Sequence, residues 1–499
     1  MAASAESVFD ALGKTYEDAY AHSPGLRKII QRVLGTLKPQ AKVLDVGCGT
    51  GKPVSYTLAA AGYDVSGIDI SQEMIDIARK QVKQGSFEKA DMRAYQPNSQ
   101  FDAIFAVLSL FPLSSREISS MMLKFCEWLH PGGTLVIGTI PTTSMFTDAS
   151  PSLYDKPGEC MDMVDIDFMD HKFKGTVYTA RGWHDMIAKV GMEVEFTHLD
   201  PFQPSNPLCI KEDHYYIIAR RTTQHPLLGP YPMPTQYRGP HPLSEKAFEP
   251  FAERFSREDF DAILEALEEN KKVLDVGSGH GELPVAIAQR HGKAYSIEPN
   301  ADRNAIISKK SQVHNVEVLP GTAENIPYPD NTFDAAVSMW ILHYVHDLER
   351  SLKEMARVVD PRLPNAKIVI VQGAPDNEAV NLVNQVCAPL SADNKQFDHQ
   401  GFLLHKASEV FQAAGFTDIT LRRVDVYCKF PEEDLSERCA NAAEILATTW
   451  FETDPNLAEM KRELLPALET HFANRPYSIG DEGVILVARP GQGGGYQHP

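Results

Sequence analysis

One short phrase occurs twice in the chain, first as Val43-Leu44-Asp45-Val46-Gly47-Cys48-Gly49-Thr50-Gly51 and again as Val273-Leu274-Asp275-Val276-Gly277-Ser278-Gly279-His280-Gly281. Each copy is an apolar run that reaches an aspartate and continues into glycines at alternate positions. Nearly half of the 499-residue chain separates them, far more than the roughly 20–50 residues of a repeat array. The chain is therefore expected to hold a duplicated domain rather than a solenoid, and to carry two versions of whatever site the phrase builds.

The totals agree with two or more domains, at about 100–200 residues each. A hydrophobic content of 43% is that of a chain with a full core. Lys and Arg number 48 against 67 Asp and Glu, a net charge of −19 with no Lys/Arg-rich block, which disfavours nucleic acid. The seven cysteines are odd in number and scattered, with neither a CxxC pair nor the Cys/His spacing of a zinc site, so no metal is expected and the thiols read as reduced. The start, Met1-Ala2-Ala3-Ser4-Ala5, leads into no apolar secretory segment, and no apolar run nears the roughly 20 residues that span a bilayer. A cytoplasmic location is the expectation.

The pattern of elements is strand-helix alternation. Amphipathic helices are expected before Pro39. Strands follow at Lys42–Val46, Asp64–Ile68, Ser86–Ala90, Phe101–Val107 and Thr134–Thr139, with helices at Pro53–Ala61, Gln72–Lys83 and Ser115–Leu129, and a late strand at His214–Arg220. Such alternation predicts a mostly parallel sheet covered by helices on both faces. Prolines crowd residues 222–243, too densely for helix or sheet, and predict an extended linker. Its Tyr231, Tyr237 and Arg238 read either as plain spacer or as a flap over a site. The plan then repeats: a helix over Phe248–Leu267, strands at Lys272–Val276, Ala294–Ile297, Val316–Leu319, Phe333–Met339, Lys367–Val371 and Gly483–Ala488, and a helix at Leu283–Arg290. The expected domains are residues 1–221 and 244–490, followed by a glycine-rich disordered tail, 491–499.

A glycine turn at the carboxyl edge of a parallel sheet is where doubly wound folds bind ligands, because glycine lets a ligand approach the backbone. Dinucleotide-binding turns use G-x-G-x-x-G; here the spacing is G-x-G-x-G. Further acids keep their places in both halves: Asp69 and Glu298 end the second strands, suited to the two hydroxyls of a ribose. Downstream come Asp91-Met92 and Ala323-Glu324, each followed by Phe-Asp-Ala (Phe101-Asp102-Ala103, Phe333-Asp334-Ala335).

On these residues both halves resemble class I S-adenosylmethionine-dependent methyltransferases. The resemblance implies a Rossmann-like α/β fold, with a mostly parallel seven-stranded sheet in each domain. It also implies S-adenosylmethionine as cofactor: Asp45, Gly47, Gly49 and Gly51, and likewise Asp275, Gly277, Gly279 and Gly281, around its methionine part; Asp69 and Glu298 at its ribose; Asp91, Met92, Ala323 and Glu324 beside its adenine. A nicotinamide-binding or purely structural domain is the alternative.

Beyond the cofactor the halves diverge. Aligning Phe101 with Phe333 sets Leu108 against Trp340 and Phe111 against His343. His343, with Tyr344 and Trp340, is the candidate base or substrate-binding group of the second half, or else a histidine packed at a strand end. Tyr16, Tyr20, Tyr154, His171 and Arg181 are first-half pocket candidates, each equally readable as packing or surface. The expected substrate is a small molecule. The size, two intact loops and proline connector are similar to fungal double-domain carboxyl O-methyltransferases of small dicarboxylic acids such as fumarate. The tandem phosphoethanolamine N-methyltransferases share that plan, and one domain could serve as a non-catalytic cofactor-binding scaffold. The other partners expected are at most a second copy of the chain, as a homodimer, with no nucleic acid and no membrane.

Overall fold

A computed structural model describes residues 5–146, 151–155, 158–229, 231–241, 243, 245–311, 314–393 and 396–491; the expected tail beyond 491 lies outside them. The chain divides into two compact units, Met1–Pro232 and Met233–Pro499, and the division falls within the proline-rich segment. Its first part belongs to the N-terminal unit, where Tyr231 N donates to Lys189 O. Its second part belongs to the C-terminal unit, where Tyr237 Oη donates to Leu342 O and Val345 O.

The N-terminal unit is built on a seven-stranded sheet: β1 (Lys42–Val46), β2 (Asp64–Asp69), β3 (Ser86–Lys89), β4 (Phe101–Val107), β5 (Leu129–Thr139), β6 (Met192–Phe202) and β7 (Glu212–Arg221). Their spatial order is β3-β2-β1-β4-β5-β7-β6. β1 to β5 run parallel, and β7 is inserted antiparallel between β5 and β6. Parallel strands are covered on both faces and read as unbroken apolar runs. Accordingly Leu44, Val46 and Ile104 pack against Ile118, Met122 and Phe125 of helix Ser115–Trp128. On the opposite face Val43 and Phe105 meet Leu26, Ile29 and Ile30 of helix Pro24–Leu34 and Ile75 of helix Gln72–Gln81. Those helices start where capping requires: Ser114 and Glu117 form a reciprocal capping box, and Ser23 and Ser71 accept from the first-turn amides. An antiparallel hairpin, Cys160–Phe168 with His171–Tyr178, is added to this plan.

The C-terminal unit repeats the sheet with β8 (Val273–Val276), β9 (Ala294–Glu298), β10 (Val316–Pro320), β11 (Ala335–Met339), β12 (Lys367–Gly373), β13 (Asp418–Val424) and β14 (Gly483–Arg489), in the order β10-β9-β8-β11-β12-β14-β13. The registers coincide as well. Asp45 lies beside Gly67 and Phe105, and Asp275 lies beside Ser296 and Val337. Both aspartates therefore stand where strand order reverses, the position at which such sheets bind ligands. This unit adds a largely helical layer in which helices Leu435–Phe451 and Leu457–Asn474 bury Leu446, Met460 and Leu464.

The single helix expected over Phe248–Leu267 is corrected. Helices Glu245–Ala252 and Asp259–Ala266 flank a short strand, Phe255–Arg257. That strand pairs antiparallel with Val426–Lys429, and Phe255 packs edge-on against Phe251 with ring centroids 4.8 Å apart. Tertiary pairing overrides the local helical pattern here. Among the described residues no helix is long and apolar enough to cross a membrane.

The first loop glycine is held by a close approach. Gly47 has φ +69°, and a Cβ there would lie 2.3 Å from Ser109 Cβ. Gly49, at φ +52°, faces open space. Alanine at Gly49 should therefore cost only the left-handed backbone penalty of about 1–2 kcal/mol. Alanine at Gly47 adds overpacking of about 1–3 kcal/mol. In thermal unfolding, Gly47→Ala is expected to lower the midpoint about twice as far as Gly49→Ala, and equal drops would contradict the packing argument.

Candidate functional site

Both glycine loops are clamped from the neighbouring strand in the same way. In the N-terminal unit Gly49 N donates to Asp69 Oδ2 at 2.8 Å, while Asp69 Oδ1 accepts from Ser71 N at 2.9 Å. In the C-terminal unit Gly279 N donates to Glu298 Oε2 and Asn300 N to Glu298 Oε1, each at 3.0 Å. The extra methylene of Glu298 changes none of this. Each acid thus fixes its loop and leaves lone pairs for further donors. Burial raises the Asp69 carboxyl above the usual carboxylate range.

The aspartates on β1 and β8 lie deeper. Ser55 Oγ donates to Asp45 Oδ2 at 2.6 Å, whereas Asp275 Oδ2 is buried without a hydrogen-bond partner among the described residues. Burial pushes both up to about 7. A buried carboxylate oxygen without a donor is unusual, and it marks a place where a cationic or donor group from a ligand would be favoured. Gly51 and Gly281 complete the loops, the latter capping helix Glu282–His291.

In the N-terminal unit the loop opens on a cleft. It is lined by Asp45, Gly47 and Gly49 on one side and by Tyr16, Tyr20 and His214 on the other. Asp69, Gly51, Asp91 and Met92 are not among its lining residues. Asp91 is engaged by the Arg93 guanidinium at 2.6 Å, and Met92 packs against the core. Their counterparts in the C-terminal unit are similar: Ala323 is buried, and Glu324 Oε1 accepts from His346 N at 2.6 Å. Burial opposes the Glu324 charge, but backbone N–H donors outweigh it and hold the carboxyl below the usual range.

Family comparison separates this architecture from other Rossmann-like folds. The description "methyltransferase domain" matches residues 43–133 and, through a second family of the same description, residues 274–362. Two tandem methyltransferase domains are thus matched, one in each unit. Among relatives, methyltransferase GfsG of Streptomyces halstedii is 31% identical over 121 residues, covering 23% of this chain and 43% of that protein. Phosphoethanolamine N-methyltransferase 1 of Arabidopsis thaliana is 30% identical over 158 residues, 31% of this chain and 30% of that protein. The solved YcgJ protein of Bacillus subtilis covers 46% of this chain and 98% of its own at 17% identity, with a TM-score of 0.35. The chain spans less than half the length of the first curated relatives it matches.

The two methyltransferase domains share a further feature that no residue pattern announced. Leu108 and Trp340, which follow β4 and β11, both have left-handed backbones, at φ 54° and 59°. Each donates its N–H to the adjacent strand, Leu108 N to Gly138 O and Trp340 N to Val371 O, both at 2.8 Å. Non-glycine residues in that region cost energy and concentrate at functional sites. The three catalytic candidates of the C-terminal domain lie on this loop. The Trp340 indole N–H is committed to Asp259 Oδ2 at 2.8 Å. Burial, reinforced by the neighbouring His241, lowers His343 to about 3, and burial pushes Tyr344 up to about 12. At neutral pH the imidazole is therefore uncharged and the phenol protonated.

In the N-terminal domain Tyr16 and Tyr20 reach the cleft. Arg181 instead pairs with Glu159, and His171 lies on the hairpin. Sequence reasoning missed a chain of hydrogen bonds behind the tyrosines. Tyr20 Oη donates to Glu212 Oε1 at 2.8 Å, and Glu212 Oε2 lies 3.0 Å from His214 Nε2. His214 Nδ1 is 3.2 Å from Tyr216 Oη, which is 3.0 Å from Ser23 Oγ. The glutamate can only accept, so His214 donates from Nε2 and accepts from Tyr216 at Nδ1. The available signal was the alternation Glu212-x-His214-x-Tyr216, which puts three polar groups on one face of a buried strand.

The raised carboxyls generate a test. For Asp275 the folded state favours the protonated form, so its contribution to stability is full below its unfolded value of 3.8 and is lost as pH rises through about 7. Relative to wild type, Asp275→Asn is expected to gain stability between pH 4 and pH 7 and nothing further above pH 8, by at most about 4 kcal/mol. Thermal midpoints across that range check it, and a constant offset would show that the carboxyl is not perturbed.

Proposed function

We propose that the protein methylates a small metabolite from S-adenosylmethionine, and that its acceptor is a carboxylate oxygen of a small dicarboxylic acid such as fumarate. In this reading Asp45, Gly47, Gly49 and Gly51, and Asp275, Gly277, Gly279 and Gly281, would surround the methionine end of the cofactor. Asp69 and Glu298 would accept from the ribose hydroxyls, with Asp91-Met92 and Ala323-Glu324 beside the adenine. The unpartnered Asp275 Oδ2 suits the cofactor's ammonium, and the open space over Gly49 suits close backbone approach. When bound, the cofactor supplies an electrophilic methyl group on a sulfonium.

The observation that carries the acceptor class is the tyrosine lining of the N-terminal cleft. Burial holds Tyr16, Tyr20 and Tyr216 well above the usual phenol range, so none acts as a base at neutral pH. With the Tyr20 proton given to Glu212 and that of Tyr216 to His214, Tyr16 is the phenol whose O–H would meet a ligand. Donors of this kind bind carboxylate oxygens by charge-assisted hydrogen bonds. A carboxylate is already ionised and needs no base, so orientation and exclusion of water are all the residues have to provide.

A second reading, N-methylation of a phosphoethanolamine-type amine, is favoured by one observation. Glu212 lies directly behind Tyr20, whose ring packs beside Tyr16, Phe168 and Phe202, and aromatic faces with a carboxylate also suit an ammonium.

Incubation with methyl-labelled cofactor and a panel of dicarboxylates and amines separates the two. A methyl ester releases its label as methanol in alkali, whereas an N-methyl product retains it. The expected outcome is alkali-labile label, with Tyr16→Phe lowering kcat/KM about tenfold or more through one lost hydrogen bond to a charged acceptor. Alkali-stable label on phosphoethanolamine would replace the carboxylate reading with the amine one.

Cofactor stoichiometry gives an independent test. Titration calorimetry is expected to show two cofactor sites per chain, falling to one in Asp69→Ala and in Glu298→Ala. A wild-type value of one would restrict binding to a single domain.

A further inference from the structure

Three side chains from distant parts of the C-terminal unit converge beside the loop that follows β11. His241 comes from the end of the proline-rich segment, His343 from the loop itself, and Asp398 from just before helix Gln400–Ala413. One donor atom from each lies within 4.8 Å of the others, and all three residues are buried. Asp398, 1% exposed, has His241 as its ion-pair neighbour among the described residues, with Nε2 to Oδ2 at 3.6 Å. Two ring nitrogens, His241 Nε2 and His343 Nδ1, are buried with no hydrogen-bond partner among the described residues. Buried polar groups are nearly always satisfied, and an unmatched one calls for a missing water, ion or ligand. Two of them next to a buried carboxylate point to a cation.

From this geometry we infer that His241, His343 and Asp398 form a binding site for a divalent transition-metal ion. Two imidazoles and one carboxylate are the donor set of zinc and its first-row neighbours, rather than of magnesium or calcium, which prefer oxygen. Three protein ligands leave a further position for water or a ligand oxygen. Bonds of about 2.0–2.2 Å require the donors to close to about 3.4 Å in a tetrahedral arrangement, so the site contracts on loading.

The surroundings are those of a supported metal site. Arg238 N and Gly239 N donate to the two Asp398 oxygens at 2.8 and 3.1 Å, which orients the carboxylate. Gln400 Nε2 lies 3.0 Å from His343 Nε2, and Gln372 Nε2 donates to Gln400 Oε1 at 3.0 Å. This arrangement leaves the His343 proton on Nδ1, so loading moves that proton to Nε2 and turns the two amides until Gln400 Oε1 accepts from it. The His241 ring stacks on Phe397 at 4.2 Å, and His343 meets the same ring edge-on. Outer contacts of this kind fix ligand orientation. His241 N also donates to His343 O at 2.9 Å, tying the proline-rich segment to the loop independently of any ion. The ligands are far apart along the chain, so no local spacing could have disclosed them.

The full chain, stripped with chelator and dialysed, is to be titrated with Co²⁺ and separately with Zn²⁺. One equivalent of each is expected to bind. The Co²⁺ form should show the visible d–d bands of a low-coordinate nitrogen/oxygen site, and Zn²⁺ should displace it with an upward shift of the thermal midpoint. His241→Ala and Asp398→Asn are each expected to lose the bands, while His405→Ala, a half-buried histidine beside Glu409, keeps them. Circular dichroism confirms that the variants fold, and His241→Gln replaces His241→Ala where it does not. The inference is overturned by substoichiometric binding to wild type, by bands that survive His241→Ala in a folded variant, or by a sulfur-to-cobalt charge-transfer band, which would assign the ion to a cysteine.

Discussion

A carboxylate at the tip of one strand receives the amide of a glycine loop on the next, through Asp69 and Gly49 in one domain and Glu298 and Gly279 in the other. Much of the site geometry follows from that hydrogen bond. It holds the loop in conformations that glycine adopts without a side-chain penalty. The buried aspartate below then faces the opening with its charge unfavourable. A ligand bearing a cation and a pair of hydroxyls would relieve both acids at once. The two domains are alike because this bond and the sheet register around it are duplicated, even though one acid is longer by a methylene.

What surrounds the duplicated frame is not shared. The N-terminal domain adds a hairpin and a phenol-lined cleft backed by Glu212, His214 and Tyr216. The C-terminal domain adds a helical layer and a buried histidine pair. In the N-terminal domain these groups stand on β7, and in the C-terminal domain His343 stands on the loop after β11. The duplicated frame and the groups that differ between the domains are thus separate in each domain.

That separation explains what could be read from the sequence. Strands Lys42–Val46 and Phe101–Val107 were legible to the residue, since strands buried on both faces are continuous apolar runs. Asp69 and Glu298 were legible because their spacing from the glycine loop is set by one helix and one strand. The break at Phe255–Arg257 was not, because its cause is a partner strand far along the chain. The Glu212–His214–Tyr216 face carried a visible alternation, but its meaning depends on Tyr20 and Ser23 from near the other end of the unit. His241 had no local signal; only the fold sets it against His343 and Asp398.

The left-handed residues after β4 and β11 carry a consequence for how the two copies diverge. Leucine in one domain and tryptophan in the other occupy the same backbone geometry, anchored by the same N–H to the neighbouring strand. The path of the main chain is therefore indifferent to which side chain it displays. Beyond that anchor the two loops turn differently, Leu113 N to Leu110 O in one and Tyr344 N to Ile341 O in the other. A duplicated fold of this kind can change the residues past one anchor while the other copy stays as it was.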